Sequence, residues 1–149
     1  MKKLSLEELG RMSINQFKEA DKIPICLLLD NVRSLHNVGS AFRTADAFRV
    51  EKIVLTGITG TPPHREIQKT ALGATESVAW NYFENPAEAA EKLKSEGYTL
   101  VVVEQTTDSL PLQTFYAEKD KKYCLVFGNE VHGVSEEVIE RAALALEIP

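Results

Sequence analysis

The uninterrupted apolar segment PICLLLD, residues 24–30, constrains the fold of this chain more than any other feature. A strand that alternates apolar and polar residues buries one face, whereas a continuous apolar run bounded by turn-forming residues suits a strand buried on both faces. Two similar runs, residues 98–104 and 123–128, follow later. Buried strands separated by amphipathic segments predict an α/β fold, with a mostly parallel sheet and helices on both faces.

Helical spacing appears between these strands. Apolar residues recur at such spacing from Val38 to Phe48, and Asn37 stands where an N-cap is expected. Asn85-Pro86 with Glu88, ended by Gly97, predicts a second helix. The remaining expected elements are strands at 52–55, 77–83 and 144–148, a loop at 57–63, and helices at 65–72 and 135–143.

A length of 149 residues with 44% hydrophobic content predicts one compact domain. Two capping-box patterns, Ser5 with Glu8 and Ser13 with Gln16, predict that residues 1–22 form a helical extension before a domain at 23–149. No apolar run reaches the roughly 18 residues that span a bilayer. We therefore expect no membrane association and a cytoplasmic protein.

The net charge of −5 argues against nucleic-acid binding through overall charge. A local basic face is possible, because basic residues cluster in the first half of the chain. They are Arg33, His36, Arg43, Arg49, His64, Arg65 and Lys69. The three histidines form no close pair and predict no metal site. Both cysteines, Cys26 and Cys124, lie in apolar runs and are expected to be reduced core thiols.

Two polar segments follow predicted strands, where open parallel sheets bind ligands. In residues 31–43, helical phase aligns Asn37, Ser40 and Arg43 or Thr44, and places Arg43 near a helix N-terminus that favours anions. On residue types alone, a plain cap at Asn37 and an ion pair between Arg43 and Asp46 are the simpler interpretation.

The second segment, FGNEVHGVSEE, places Gly128 after a strand, where a missing Cβ allows close approach to the backbone. Glu130 and His132 follow in the loop. The segment is no P-loop, because no Gly-Lys-Ser/Thr ending exists, and the chain holds no G-x-G-x-x-G or G-x-S-x-G. Alone, this pattern is also typical of a glycine-bounded turn with solvated side chains.

Taken together, the two segments resemble the first two motifs of the SpoU (TrmH-like) branch of the SPOUT methyltransferases. The pattern N-x-G-x-x-x-R-T-A is matched by Asn37, Gly39, Arg43, Thr44 and Ala45. The pattern G-x-E-x-x-G is matched at residues 128–133, and residues 62–74 are similar to the family's segment after the second strand. The likeness covers nearly the whole chain after about residue 23.

The resemblance implies methyl transfer from S-adenosylmethionine to a ribose 2′-hydroxyl of RNA, by a domain with a C-terminal trefoil knot that usually dimerises. It assigns stabilisation of the reacting oxygen and a neighbouring phosphate to Arg43. Asn37 would orient Arg43 or the ribose, and Glu130 would position the helix or the RNA. No metal is required, since the donor brings its own leaving group.

The resemblance also implies binding positions. The donor would contact loops after the later strands, at Glu104, Gln105, Thr106, Phe127, Gly128, Asn129 and Ile148. RNA would contact the basic residues Arg33, His36, Arg65 and Lys69. Both tRNA and rRNA fit as the substrate, with tRNA as the first expectation.

One departure bears on these expectations. The family's third motif, a Ser-Leu-Asn stretch that closes the knot and much of the dimer interface, should begin after Pro149. We expect that the sequence is part of a longer protein. The main alternative is a catalytically inactive RNA-binding module of the same fold. A flavodoxin-like phosphate binder is a weaker alternative, because it leaves the joint match of the two motifs unexplained.

Overall fold

The computed structural model describes all residues, 1–149, and contains one seven-stranded sheet in the order β3-β2-β1-β6-β4-β7-β5. Every pair of neighbouring strands is parallel. The strands are β1 (Ile23–Asp30), β2 (Val50–Thr56), β3 (Trp80–Phe83), β4 (Tyr98–Val103), β5 (Leu110–Pro111), β6 (Lys122–Gly128) and β7 (Leu144–Glu147). The predicted parallel α/β fold is confirmed.

Helices cover both faces of this sheet. They are α1 (Ile14–Glu19), α2 (Leu35–Phe48), α3 (Arg65–Ala71), α4 (Ala74–Ser77), α5 (Pro86–Ser95) and α6 (Glu136–Ile139), with a 3-10 turn at Leu112–Thr114. The first four pack over one core cluster, and α5 and α6 pack over the other. Central strand β1 serves both, because Leu27 and Leu29 point to the first cluster while Cys26 and Leu28 point to the second.

Helix α2 begins earlier than the sequence predicted. Ser34 is the N-cap, and its hydroxyl accepts a hydrogen bond from the Asn37 N–H at 3.1 Å. The prediction of Asn37 as the N-cap is therefore wrong. The polar residues at the start of α2 hid the true boundary, since the apolar periodicity becomes visible only at Val38.

Helix α5 matches its prediction. The Asn85 side chain accepts hydrogen bonds from the N–H groups of Ala87 and Glu88, and Pro86 occupies the first turn. The chain leaves this helix through Gly97 at φ +95°, a conformation that glycine adopts without strain.

Other boundaries differ locally. Residues 74–77 form α4, so the third strand begins at Trp80 and not at Ser77. Helix α6 ends at Ile139, before the predicted Ala143, and the short strand β5 was not predicted. The Ser13 capping box caps α1, whereas the Ser5 and Glu8 pair makes its two hydrogen bonds around a turn only.

The two thiols are buried in the sheet. Cys26 and Cys124 are register partners on β1 and β6, and both are free. Burial raises the pKa of the Cys124 thiol well above its ordinary value, and the neighbouring Cys26 adds to the shift. These cysteines are packing residues, as their apolar runs predicted. None of the helices combines the length and the apolar character that a membrane-spanning helix requires.

Candidate active site

The two motif segments meet through one carboxylate. Glu130, in the loop after β6, accepts hydrogen bonds from the backbone N–H groups of Arg33 at 2.9 Å and Ser34 at 3.1 Å. It also accepts one from the Asn37 side-chain amide at 3.2 Å. The N-terminus of α2 is therefore held by a charge of the sign that its unpaired N–H groups favour.

The same contacts set the charge state of Glu130. Its partial burial tends to raise the pKa, but the hydrogen bonds from Ser34, Arg33 and Asn37 outweigh burial, and the net pKa is lowered. Each of these bonds favours the charged form. Glu130 is therefore an ionised acceptor at neutral pH, and it acts on α2 as a positioning group.

The loop that carries Glu130 is folded tightly on itself. The backbone groups of Asn129 and Gly133 exchange hydrogen bonds, N–H to carbonyl, at 3.0 and 2.9 Å. A Cβ on Gly128 would lie 2.2 Å from the Gly133 carbonyl carbon and the Val134 nitrogen. Glycine is required at residue 128 by the loop's own backbone, not only by the space a ligand would need.

The side chain of Asn129 ties this loop to β1. Its amide donates to the Asn31 carbonyl at 2.8 Å, and its oxygen accepts from the N–H groups of Val131 and His132 at 2.9 and 3.0 Å. Its polar atoms are thus engaged within the protein. Asn129 was predicted among the donor-binding positions, and that role stays a prediction, because its backbone N–H and carbonyl are also hydrogen-bonded within the loop, to Gly133.

A buried carboxylate at the end of β1 supports the loop at residues 128–135. Asp30, at the end of β1, is fully buried and accepts both the N–H of Ser135 at 2.7 Å and its hydroxyl at 2.8 Å. The Asn31 amide donates to its other oxygen at 2.9 Å. Sequence reasoning missed this role, because an Asp after a strand is also a common turn residue.

A second carboxylate supports the loop from β4. Glu104 accepts the Val134 N–H at 2.9 Å and the Gln105 N–H at 3.2 Å. A Cβ on Gly133 would collide with this carboxylate, at 2.1 Å from Oε2. Glu104 was predicted to contact the donor, which stays a prediction; in the structure its carboxylate supports the loop at residues 128–135.

The predicted donor-binding residues lie at or just after the carboxyl ends of three strands that are neighbours in the sheet, β6, β4 and β7. Because parallel strands end at the same edge, their loops are adjacent. The Glu104 N–H donates to the Leu146 carbonyl at 3.0 Å, and the Ser109 hydroxyl donates to the Glu147 carboxylate at 2.8 Å. The set, Glu104, Gln105, Thr106, Phe127, Gly128, Asn129 and Ile148, lies in or beside these loops.

Arg43 lies apart from the contact between Asn37 and Glu130. It is eight residues after Leu35, about 12 Å along the helix axis, so its predicted place near a helix N-terminus is wrong. It follows Asn37 by six residues, which turns it roughly 120° around α2. No hydrogen bond joins the two side chains, and Arg43 forms no ion pair with Asp46, whose carboxylate accepts from Ser77 at 2.9 Å.

Two clefts flank α2. An apolar groove of about 560 Å³ between α2, β1 and β6 contains Asn37, Ser40 and Thr44 along one side, with Glu130 at its rim. A second cleft, about 700 Å³, contains Arg43. Thr44 lines both, so Thr44 and not Arg43 continues the row of Asn37 and Ser40.

The predicted RNA-contacting residues are exposed near the start of α2 and on α3. His36 and Lys69 both bind the Glu66 carboxylate, each at 2.9 Å, whereas Arg33 and Arg65 form no ion pair. Hydrogen bonds from Lys69 and His36 lower the pKa of Glu66. This acidic residue, which the sequence analysis did not weigh, reduces the positive charge of that surface.

No cluster of three or more His, Cys, Asp or Glu side chains in the structure could hold a metal ion. The polar groups that converge at the carboxyl edge are backbone amides, carboxylates and the side-chain amides of Asn31, Asn37 and Asn129. Their arrangement suits an organic ligand bound by loop backbones.

Comparison with known proteins identifies the family of this chain. The profile of the SpoU rRNA Methylase family matches residues 24–149. A Staphylococcus saprophyticus protein assigned to the TrmH family of tRNA/rRNA methyltransferases is 31% identical over 138 residues, which are 91% of this chain and 53% of that protein. The 23S rRNA (guanosine-2′-O-)-methyltransferase RlmB of Neisseria meningitidis is 26% identical over 126 residues, 85% of this chain and 49% of its own.

Comparison with solved structures agrees with the comparison of sequences. The AdoMet-bound rRNA methyltransferase from Sinorhizobium meliloti superposes with a TM-score of 0.77 at 25% identity, over 89% of this chain and 51% of that one. The fold and the two joined motifs define a parallel α/β protein of the SPOUT methyltransferase class. The chain belongs to the SpoU rRNA methylase family, which confirms the resemblance. It spans about half the length of the curated relatives that it matches.

Proposed function

We propose that this chain belongs to an S-adenosylmethionine-dependent RNA 2′-O-ribose methyltransferase. The observation that carries the proposal is the contact of Glu130 with Arg33, Ser34 and Asn37, which joins both family motifs into one site. The name of the RlmB relative specifies a guanosine 2′-O target, and the Sinorhizobium relative binds AdoMet.

The charge of the loops after β4, β6 and β7 is opposite to that of two groups of the proposed donor. Glu104 and Glu147 place carboxylates there, and S-adenosylmethionine carries a positive sulfonium and a positive ammonium group. When bound, the donor supplies the methyl group and its own leaving group. The proposed contacts are Glu104, Gln105, Thr106, Phe127, Gly128, Asn129 and Ile148, mainly through their backbones.

The chain's own residues would act on the ribose. Arg43 would stabilise the negative charge that develops on the ribose oxygen as the hydroxyl proton passes to solvent, and it would hold a nearby phosphate. A guanidinium remains protonated at neutral pH, so electrostatic stabilisation suits Arg43 better than proton removal. Asn37 and Glu130 would fix the position of α2, and thereby of Arg43.

The proposed partner is RNA, either tRNA or rRNA, which would contact Arg33, His36, Arg65 and Lys69. In this proposal, residues 23–149 belong to the methyltransferase domain and residues 1–22 form an N-terminal extension. The trefoil knot, the homodimer and the cytoplasmic location stay predictions.

Methyl transfer to defined RNAs tests the proposal. Full-length protein is incubated with methyl-labelled S-adenosylmethionine and unmodified tRNA or rRNA transcripts, and the products are digested to nucleosides. We expect label in a 2′-O-methylated nucleoside, and none when the target nucleotide is 2′-deoxy. Label on a base would contradict 2′-O transfer. RNA binding without donor binding or transfer would identify the inactive RNA-binding module instead.

A further inference from the structure

The larger of the two clefts beside α2 is lined by three arginines. Its volume is about 700 Å³, and its walls come from the N-terminal segment before and within α1, the second half of α2, and α4. Arg11, Arg43 and Arg49 all line it, in a chain whose net charge is −5. Arg43 belongs to the first motif, whereas Arg11 and Arg49 have no role in the site described above.

None of these three arginines is neutralised by the protein. They take part in no ion pair, and no hydrogen bond involves their side chains. Two acidic residues, Asp46 and Glu76, share the cleft and reduce its positive charge, but neither forms an ion pair with an arginine. The cleft therefore offers three unpaired guanidinium groups to an anion.

Ordered backbone carries the two outer arginines. Arg11 lies two residues before Ser13, whose capping box starts α1, and Phe17 of α1 is 4% exposed within the core. Lys22 closes α1 by donating to the carbonyls of Phe17 and Ala20. At the other wall, Arg49 ends α2 in the left-handed region, φ +54°, and its N–H donates to carbonyls of α2.

We propose that this cleft binds the phosphodiester backbone of the RNA substrate, with Arg11 and Arg49 holding phosphates beside Arg43. The inference rests on the proposed function and names its RNA-binding surface. Guanidinium groups present planar pairs of donors that match phosphate oxygens. An extended polyanion accounts for three separate arginines around one open cleft better than a single small anion does.

Equilibrium binding of a tRNA transcript, measured against salt concentration, tests this site on the full-length protein. Each of Arg11→Gln and Arg49→Gln should weaken binding roughly five- to eightfold at about 0.1 M salt, because one phosphate contact is lost. Each should also reduce the slope of log affinity against log salt by about 1. Lys94→Gln is the matched control, since Lys94 is exposed on α5, over the other face of the sheet, and forms no ion pair.

The outcomes separate this inference from the proposed function. Wild-type affinity and slope in both arginine variants, or weaker binding with an unchanged slope, would overturn the cleft as a phosphate site even if methyl transfer proceeds normally. Loss of sodium phosphate binding in both arginine variants, while their RNA affinity and salt slope stay at wild-type values, would show a free-phosphate site and would also overturn it. Failure of the wild-type protein to methylate any RNA would instead count against the proposed function.

Discussion

The Glu130 carboxylate accepts a hydrogen bond from the Asn37 side-chain amide at 3.2 Å, across 93 residues of sequence. The same carboxylate accepts two backbone N–H groups at the start of α2. A single loop residue thus fixes the helix that carries Arg43. The contact gives Asn37 and Glu130 a structural role that does not require either of them to carry a proton.

Glu130→Gln should lower the free energy of unfolding by about 1 kcal/mol at pH 7, because a neutral amide accepts these bonds less strongly and solvent screens the site. The folded-state pKa of Glu130 is lowered, so its contribution is present above the ordinary pKa of 4.5 and is lost as the pH falls through the folded value. Urea denaturation across pH 7 to 3 measures this difference.

Glu140→Gln is the control for that titration, since Glu140 is exposed and its side chain makes no hydrogen bond or ion pair. The difference between wild type and Glu130→Gln should shrink at low pH, while Glu140→Gln should differ little throughout. A Glu130 effect that is the same at pH 3 and pH 7 would mean that its charge does not hold α2.

Asp30→Asn should destabilise the protein by about 2 to 3 kcal/mol. The fully buried Asp30 carboxylate accepts three hydrogen bonds, and the NH2 group of an asparagine there would face at least one of these donors. Ser135→Ala removes only the hydroxyl and should cost about 1 kcal/mol. Chemical denaturation gives both values. Equal losses would show that the Ser135 hydroxyl, and not the buried charge, dominates this support of the loop.

Gly128→Ala should lose about 1 to 3 kcal/mol of stability, because the new methyl group meets loop backbone at 2.2 Å and not a movable side chain. Donor affinity, measured by calorimetry, should fall as well, since the loop at 128–133 must shift. Gly97→Ala is the comparison, because its Cβ meets nothing within 4 Å and only its φ of +95° is strained. Unchanged donor affinity in Gly128→Ala would separate this loop from the donor site.

The sheet was largely predictable from the sequence, because strands buried on both faces leave short continuous apolar runs bounded by turn-forming residues. Strands β1, β4 and β6, the three longest runs, were placed to within one residue at each end. The start of α2 was not, because Ser34 and Asn37 are both good caps and only their contacts decide between them. Two-residue strand β5 has no periodicity to detect.

The sequence predicted which residues form the site better than it predicted how they are arranged. The motif match selected Asn37, Arg43 and Glu130, yet the contact of Asn37 with Glu130 depends on β1 and β6 being neighbours in the sheet. Likewise, the role of Asp30 depends on Ser135, which lies 105 residues away. Such pairings depend on topology, which local patterns of residues do not encode.

Arg43 is the residue on which the proposed chemistry depends. In the full-length protein, Arg43→Ala should slow single-turnover methyl transfer roughly 100- to 1000-fold, the scale of losing one group that stabilises a developing oxyanion. The affinity for S-adenosylmethionine, measured by calorimetry on the same preparation, should remain within about twofold of wild type, because the proposed donor contacts lie in the loops after β4, β6 and β7.

Lys94→Gln, on the other face of the sheet, is the matched control and should change neither quantity. Slow transfer with intact donor binding in Arg43→Ala is the result that our account predicts. Equal loss of transfer and donor affinity, or transfer at the wild-type rate, would contradict the assignment of Arg43 to stabilisation of the reacting ribose oxygen.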